Sequence, residues 1–348
     1  MKKIPVGILG ATGSVGQRFI ELIANHPWFE ITALAASDRS TGKSYREAVN
    51  WLMPTPLPPA IGRMQLQPCV ANLPCAWVFS ALDSSVAGAI EGDFAKAGYI
   101  VHSNASSHRM HPEVPLLVPE VNGEHLELLK RQSFGKGKII ANPNCSVIGL
   151  VLALKPLLDA FGIEAINVVT MQAISGAGYP GVASLDIIDN VIPLIKGEEE
   201  KIESEPYKIL GRYVSGRIEP STFKISAQCN RVPVNDGHME CVSVKLRNKA
   251  PAKDLIAAWR NFSSIPQHLN LPTAPLHPSH YHEEDNFPQP KLHRQLDKGM
   301  AVSIGRLREC ALFDYKFTIL SHNTIRGAAG GALLNAELMA RQGDYGCH

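Results

Sequence analysis

The chain reads as an α/β protein of two domains, an N-terminal doubly wound parallel sheet followed by an α+β domain with a mixed or antiparallel sheet. Three observations predict this. A strand pattern, a glycine turn and a helix pattern follow one another between Val6 and Asn25, strand and helix patterns then alternate as far as Ala141, and beyond Cys145 strand patterns continue with fewer helices between them.

Val6 to Leu9 is a short apolar run, Gly10-Ala11-Thr12-Gly13-Ser14-Val15-Gly16 is the turn, and Gln17 to Asn25 carries Phe19, Ile20, Leu22 and Ile23 at helical spacing. Further strands are predicted at Ile31 to Ala36, Trp77 to Leu82, Ile100 to His102 and Lys138 to Ala141, with a helix at Ser85 to Ala97. Trp51 to Pro59 holds prolines at 54, 56, 58 and 59 and is expected to be a surface loop. In the second half, strands are expected at Ala165 to Ala173, Phe223 to Gln228, Glu240 to Leu246, Ala301 to Arg308 and Phe313 to Leu320. Pro266 to Pro290, rich in Pro and His, is expected to be loop, and Asn323 to Ala340 returns to helical spacing. The first domain is expected to span residues 1–144 and the second 145–322, with helix 323–342 packing back on the first.

With 348 residues and 45% hydrophobic content, both domains can bury a core without staples. A net charge of +2, from 34 basic and 32 acidic side chains, gives no broad field for nucleic acid or an anionic membrane, so small molecules and copies of the chain itself are the expected partners. Seven cysteines, at 69, 75, 145, 229, 241, 310 and 347, form an odd set without a Cys-x-x-Cys pair or a metal-spaced His cluster, which fits a reducing compartment and no metal. No run of 18 apolar residues occurs, and a soluble, cytoplasmic protein is expected.

Gly10, Gly13 and Gly16 between a strand and a helix let a pyrophosphate approach the backbone and sit on the helix dipole, the Rossmann-type arrangement of a dinucleotide site. At the end of the second strand, Arg39 with Ser37, Ser40 and Thr41 suits a 2′-phosphate, and so NADP, although Asp38 would repel one if it pointed inward. The competing reading is a solvated loop with a local Asp38/Arg39 pair.

Asn142-Pro143-Asn144-Cys145-Ser146 places a thiol where a strand ends and a helix begins. Unpaired N–H groups and partial positive charge at such a start favour a thiolate and can stabilise an oxyanion beside it, which makes Cys145 the candidate nucleophile. The alternative is an inert, buried cysteine. Among 13 histidines, His238 is the best placed to carry a proton, in the turn-rich bridge Asn230 to His238 between two strands. Arg231, in the same bridge, could clamp a carboxylate with its planar fork or make a surface ion pair. Gln172 stands where a strand exits into Ala173-Ile174-Ser175-Gly176-Ala177-Gly178, a small-residue loop that could admit a nicotinamide ring or simply turn. Glu198-Glu199-Glu200-Lys201 reads, taken alone, as a solvated helical face.

The ordered set Gly-Ala-Thr-Gly-Ser-Val-Gly, Asn-Pro-Asn-Cys, Gln-Ala-Ile-Ser-Gly-Ala-Gly and Asn-Arg-Val-Pro-Val-x-x-Gly-His resembles the aspartate-semialdehyde dehydrogenases over nearly the whole chain. Ile192 to Lys201 and Ser321 to Gly331 are similar to the archaeal and fungal branch. The resemblance implies Cys145 as acyl-accepting nucleophile, His238 as acid/base, Gln172 orienting the acyl substrate and Arg231 clamping its carboxylate. It further implies Arg109, Lys201 and Glu198 around the phosphate. Gly10, Thr12, Gly13, Ser14, Val15, Gly16, Ser37, Arg39, Ser40, Thr41, Ser175, Gly176 and Asn323 would line NADP.

The implied reaction is NADPH-dependent reductive dephosphorylation of L-aspartyl 4-phosphate to aspartate semialdehyde through a Cys145 thioester, in the biosynthesis of lysine, threonine, methionine and isoleucine. His238 would give a proton to sulfur and, in the reverse direction, remove one. The second domain would be the catalytic and dimerisation domain of a homodimer or homotetramer. Malonyl-CoA reductases and N-acetylglutamyl-phosphate reductases share this plan. From other classes, a cysteine hydrolase would leave the glycine turn without a task, and a non-catalytic dinucleotide sensor would not need Cys145.

Overall fold

The computed structural model describes residues 2–343; Met1 and 344–348, Cys347 among them, lie outside the described residues. Strands β1 (Ile4–Leu9), β2 (Phe29–Ala36), β3 (Leu66–Pro68), β4 (Trp77–Ser80), β5 (Ile100–Ser103) and β6 (Lys138–Ala141) pair in the order β3-β2-β1-β4-β5-β6, every pair parallel. The reversal of order beside β1 opens a crevice at the carboxyl ends of β1 and β4, where ligands of such sheets bind. Helix α1 (Ser14–Ile23) buries Phe19, Ile20 and Ile23, and α2 (Ser84–Lys96) links β4 to β5.

The second sheet is mixed. It joins β7 (Ile163–Gln172), β10 (Lys224–Arg231), β11 (His238–Leu246), β12 (Ser279–His282), β13 (Val302–Glu309) and β14 (Tyr315–Ser321) in the order β10-β7-β11-β14-β13-β12. The two edge pairs are parallel and the three central ones antiparallel. A separate hairpin is made by β8 (Arg212–Val214) and β9 (Arg217–Glu219). Helix α3 (Cys145–Phe161) is apolar nearly all round because it crosses from β6 of the first sheet onto the face of the second. Helix α4 (Glu198–Ile209) packs on β10 and α3, and α5 (Gly330–Gln342) returns to the first domain, where Leu333, Leu334 and Leu338 share a core with Ile8, Phe19 and Ile20.

Three expectations are corrected. The stretch 266–290 is not all loop, because β12 lies within it as a four-residue edge strand anchored by the Ser279 hydroxyl donating to the Trp259 carbonyl at 2.8 Å. Its His-rich, half-buried sequence carries no apolar alternation to announce it. The helix expected from Asn323 begins instead with a wider turn at Ile325–Ala329, and regular α-helix starts only at Gly330. Arg326 in that turn makes a buried bidentate pair with Glu120, at 2.8 and 2.5 Å. The turn-rich bridge is shorter than expected, since Arg231 closes β10 and His238 opens β11, so both ride on strands.

Glu240, two residues along β11 from His238, is fully buried with no hydrogen-bond partner among the described residues for either carboxyl oxygen, and burial holds its carboxyl well above the ordinary value. The folded protein therefore keeps a proton that the unfolded chain releases, and loses stability as pH rises above the unfolded carboxylate pKa. Glu240→Gln removes that slope. Urea unfolding of wild type and variant at pH 5 and pH 8 is expected to show the variant gaining about 1 kcal/mol or more relative to wild type on going to pH 8; an unchanged difference contradicts the assignment.

Candidate active site

β6 ends at Ala141, and three residues carry the chain into α3. Asn142 is held by its N–H on the Ser103 carbonyl at 2.8 Å and by its side-chain amide on Asn104 Oδ1 at 3.0 Å. Asn144 caps the helix, its Oδ1 accepting from the Ser146 N–H at 2.9 Å, while its own N–H donates to Glu205 Oε2 at 2.7 Å and its Nδ2 to Glu198 Oε2 at 2.8 Å. Cys145 is thereby fixed as the first residue of α3, half-buried.

From the other sheet comes His238, wholly buried, with Nε2 3.2 Å from Cys145 Sγ. The Ala173 N–H donates to its Nδ1 at 3.0 Å. A backbone N–H can only donate, so Nδ1 presents a lone pair and the neutral ring carries its proton on Nε2, facing sulfur. Burial pushes the His238 pKa down to about 3, and Arg231 pushes in the same direction.

The thiolate expected at the helix start is not what the surroundings favour. Burial, and secondly the Glu198 carboxylate, push the Cys145 thiol up to about 12, against the pull of Arg109, Arg231 and Lys201. Desolvation of the ion outweighs the three cations because little water reaches the sulfur to solvate its negative charge. Both shifts favour a thiol beside a neutral imidazole.

Around the sulfur lies a cavity of about 350 Å³, whose wall includes Arg109, Glu198, Lys201 and Arg231 together with Ser14, Val15, Ser175, Gly176 and Asn323. Arg231 spends Nη1 on the Ala173 carbonyl at 2.7 Å, leaving the rest of its fork toward the cavity. Arg109 is steadied by Glu205 Oε1 and the Asn104 carbonyl, each at 2.9 Å. Lys201 Nζ meets Glu198 Oε1 at 2.7 Å and remains about one-third exposed at 34%. Burial opposes ionisation of Glu198, yet donation from Lys201, Asn144 and Gln172 holds its carboxyl below the ordinary value. Gly176 is a close-approach position, since a Cβ there would fall 2.8 Å from Arg231 Nη1 and 3.0 Å from His238 Cε1.

Gln172 stands one layer back, buried, its amide reaching Glu198 Oε2 at 3.3 Å rather than the cavity wall. The solvated-face reading of the acidic run is overturned as well. Glu199 and Glu203 accept from the N–H groups of Cys229 and Ala227 on β10, and Glu205 serves Arg109 and Asn144. Asn144, Glu205 and Lys208 are functional supports that sequence reasoning did not single out. Lys208 donates from Nζ to the carbonyls of Arg109, His111 and Val114, each at 2.7 Å, and so pins the loop that bears Arg109. An Asn immediately before a helix-starting Cys is a cap signal that could have flagged Asn144; nothing local flags Glu205 or Lys208.

For the dinucleotide, Gly10 adopts φ +72° and a Cβ on Gly16 would lie 2.3 Å from the Gly10 carbonyl, so the turn closes only with glycine there. Helix α1 begins at Ser14 with Gly13 as an extended cap residue that offers no side-chain bond and with no acid in the first turn. Its first N–H groups are thus left without a side-chain cap, as an anion site requires, and Ser14 and Val15 line the cavity, Thr12 and Gly13 preceding them in the turn. Asn323 ties the loop after β7 to the start of β11, accepting from the Gly237 N–H and donating to Ser175 Oγ, both at 2.8 Å. Ser37, Arg39, Ser40 and Thr41 follow β2, the neighbour of β1, in a turn closed by Ser40 and Thr41 N–H groups on the Ser37 carbonyl. They stand outside the cavity wall, and neither Asp38 nor Arg39 makes an ion pair among the described residues. These features fit a phosphorylated dinucleotide laid from the second strand across the glycine turn toward Cys145.

Residues 5–129 match the family "Semialdehyde dehydrogenase, NAD binding domain" and residues 154–326 the family "Semialdehyde dehydrogenase, dimerisation domain". The aspartate-semialdehyde dehydrogenase of Archaeoglobus fulgidus is 47% identical over 97% of this chain and 98% of its own length. That of Saccharomyces cerevisiae is 46% identical over 97% of this chain and 98% of its own length. The crystal structure of aspartate-semialdehyde dehydrogenase with NADP from Candida albicans has a TM-score of 0.90 and 44% identity, covering 97% of this chain and 99% of that one.

With the thiol pKa near 12, the thiolate fraction at neutral pH is small and grows about tenfold per pH unit. Alkylation of Cys145 by iodoacetamide, followed by peptide mass spectrometry, is expected to accelerate about tenfold per unit from pH 7 to pH 9. A plateau below pH 8 would show a resting thiolate and contradict the burial argument.

Proposed function

The chain belongs to the aspartate-semialdehyde dehydrogenase family and is an NADP-using oxidoreductase, and on that premise we propose how its residues divide the work. The substrate is L-aspartyl 4-phosphate, reduced to aspartate semialdehyde with release of phosphate, in the aspartate pathway of amino-acid biosynthesis. One observation carries the reading: a cysteine 3.2 Å from a buried histidine opens into a cavity whose wall holds three cationic side chains and the uncapped start of a helix.

Cys145 forms the thioester, because sulfur displaces phosphate readily and leaves a carbonyl more open to reduction than an oxygen ester. Arg109 and Lys201 hold the phosphate, and Arg231 takes the α-carboxylate with the free part of its fork. Glu198 ties Lys201, Asn144 and Gln172 to one carboxylate and so sets the height of the phosphate end against the sulfur. The N–H groups at the start of α3 face the developing oxyanion. Bound across the glycine turn, NADPH supplies the hydride. His238 then donates its Nε2 hydrogen bond to sulfur as the carbon–sulfur bond breaks.

Gly10, Thr12, Gly13, Ser14, Val15, Gly16, Ser175, Gly176 and Asn323 hold the cofactor, and Ser37, Arg39, Ser40 and Thr41 hold its 2′-phosphate, supported by the absence of any ion pair for Asp38 with Arg39 among the described residues. The match to a dimerisation-domain family supports self-association, and a cytoplasmic homodimer or homotetramer is the proposed form. No helix among the described residues is long and apolar enough to cross a membrane.

NADPH oxidation monitored by absorbance is expected with aspartyl phosphate and not with malonyl-CoA; the reverse result contradicts the substrate. Arg231→Lys replaces a fork with a point charge and is expected to raise KM about ten- to a hundredfold with little change in kcat. Cys145→Ser is expected to bind NADP as wild type does while turnover falls by on the order of a thousandfold or more.

A further inference from the structure

One stripe of helix α2 has no part in the chemistry described so far. Ser84, Gly88 and Glu91 recur at i, i+4 and i+7 and so share one face, and that face carries the loop 104–109, which lines the cavity and ends in Arg109. Ser84 Oγ accepts from the Ser106 N–H, and the Ser84 carbonyl accepts from Ser107 Oγ, both at 3.2 Å. Gly88 makes room for Ser107, whose Cβ would stand 3.3 Å from a Cβ added there. Glu91 is wholly buried; its Oε1 accepts from Ser103 Oγ at 2.8 Å, and the same hydroxyl accepts from the Ala105 N–H at 3.1 Å. Glu91 Oε2 lies 3.5 Å from His108 Nε2, and neither atom has a hydrogen-bond partner among the described residues.

Glu91 thus meets the loop at both ends, at Ser103 where it leaves β5 and at His108 one residue before Arg109. Within the loop Arg109 Nη2 donates to the Asn104 carbonyl at 2.9 Å, so the guanidinium goes where the loop goes. Burial pushes the Glu91 carboxyl up to about 7, against the Ser80 and Ser103 hydroxyls and the charge of Arg109, and burial, then His111, pushes His108 down. The groups that face the pair are Ser80 from the end of β4, Ser103 from the end of β5, Arg109 from the loop and His111 beside His108, while β6, also packed on α2, brings Ile139 and Ala141. Of these, Arg109 alone is charged at every working pH. An anion bound to Arg109 cancels the field that favours ionised Glu91.

We propose that Glu91 is a positioning residue for Arg109, and that phosphate bound at Arg109 is coupled to uptake of one proton by Glu91, whose neutral carboxyl donates to His108 Nε2 and holds the loop on its ligand. One proton passes from solvent to Oε2, and no other bond changes. The coupling is reciprocal. Ionised Glu91 sets a second carboxylate behind a guanidinium that Glu205 already pairs at 2.9 Å, so the raised carboxyl makes phosphate binding strongest below about pH 7 and weaker as pH rises through that value. The effect belongs to phosphate, since the α-carboxylate of the substrate is assigned to Arg231 on the other sheet.

This rests on the reading that phosphate binds at Arg109, and the test separates the two ideas. In the oxidative direction, with aspartate semialdehyde, NADP and inorganic phosphate, KM for phosphate is measured from about pH 6 to 8.5 for the full-length protein and for Glu91→Gln, whose amide stands in for the neutral acid. The titration of phosphate itself cancels in the ratio of the two KM values. The ratio of wild type to variant is expected to rise about fivefold or more across the range for phosphate and to stay within about twofold for semialdehyde. A phosphate ratio constant within about twofold, or an equal rise for both substrates as a merely structural role would give, overturns the proposal. Turnover that does not depend on phosphate, or a phosphate KM unaltered in Arg109→Leu, overturns the phosphate site and the proposal with it. Calorimetric titration of the wild type with phosphate near pH 8, in buffers of different ionisation enthalpy, needs no variant: uptake of more than about half a proton per site is expected, and no uptake overturns the coupling.

Discussion

The 3.2 Å separation of Cys145 Sγ and His238 Nε2 joins two sheets that share no strand, and most of what surrounds it exists to keep that distance. Cys145 arrives from β6 and His238 from β11, so any tilt of one sheet against the other opens the pair. The contact is fixed at both ends. On one side the Asn142 to Asn144 turn is bonded to Ser103, Asn104, Glu198 and Glu205; on the other, His238 opposes Ser321 in the β11–β14 register and accepts from Ala173 at the end of β7. The buried Arg326–Glu120 pair locks the turn behind α3, in surroundings where leaving either charge alone costs about 3–5 kcal/mol.

The same enclosure governs the chemistry. Water is scarce at the sulfur, so a lone thiolate is costly there and the cations around it do not suffice to form one at rest. Once a phosphate and a carboxylate enter, the same cations are matched by substrate charge in a medium where each contact is stronger than in water. Glu198 binds Lys201, Asn144 and Gln172 to one carboxylate, tying a cation to the helix cap beside the sulfur, and its charge adds to burial in raising the thiol pKa.

The first sheet was legible because its signals are local. The apolar run at β1, the closure of Gly10 on Gly16, and the spacing of Phe19, Ile20 and Ile23 lie within 20 residues of one another, and the mixed second sheet could be read from five strand patterns with few helices between. The place of Cys145 at a helix start was equally local. What escaped depends on groups far apart in sequence. Glu205 meets Arg109 across 96 positions and Lys208 reaches the same loop across 97, so no pattern near either announces it. Glu199 and Glu203 look solvated in the sequence but spend their charge on the exposed N–H edge of β10. The thiol pKa misled for another reason: the helix start is visible in the sequence, whereas the depth at which the fold buries it is not.

The central claim is that one sulfur carries the acyl group between loss of phosphate and gain of hydride. Intact-protein mass spectrometry after mixing with aspartyl phosphate, in the absence of any nicotinamide cofactor, tests it most directly. The account predicts a single aspartyl adduct that maps to the Cys145 peptide and is released by hydroxylamine. Unmodified protein under conditions where NADPH supports turnover, or an adduct on any other residue, would contradict it.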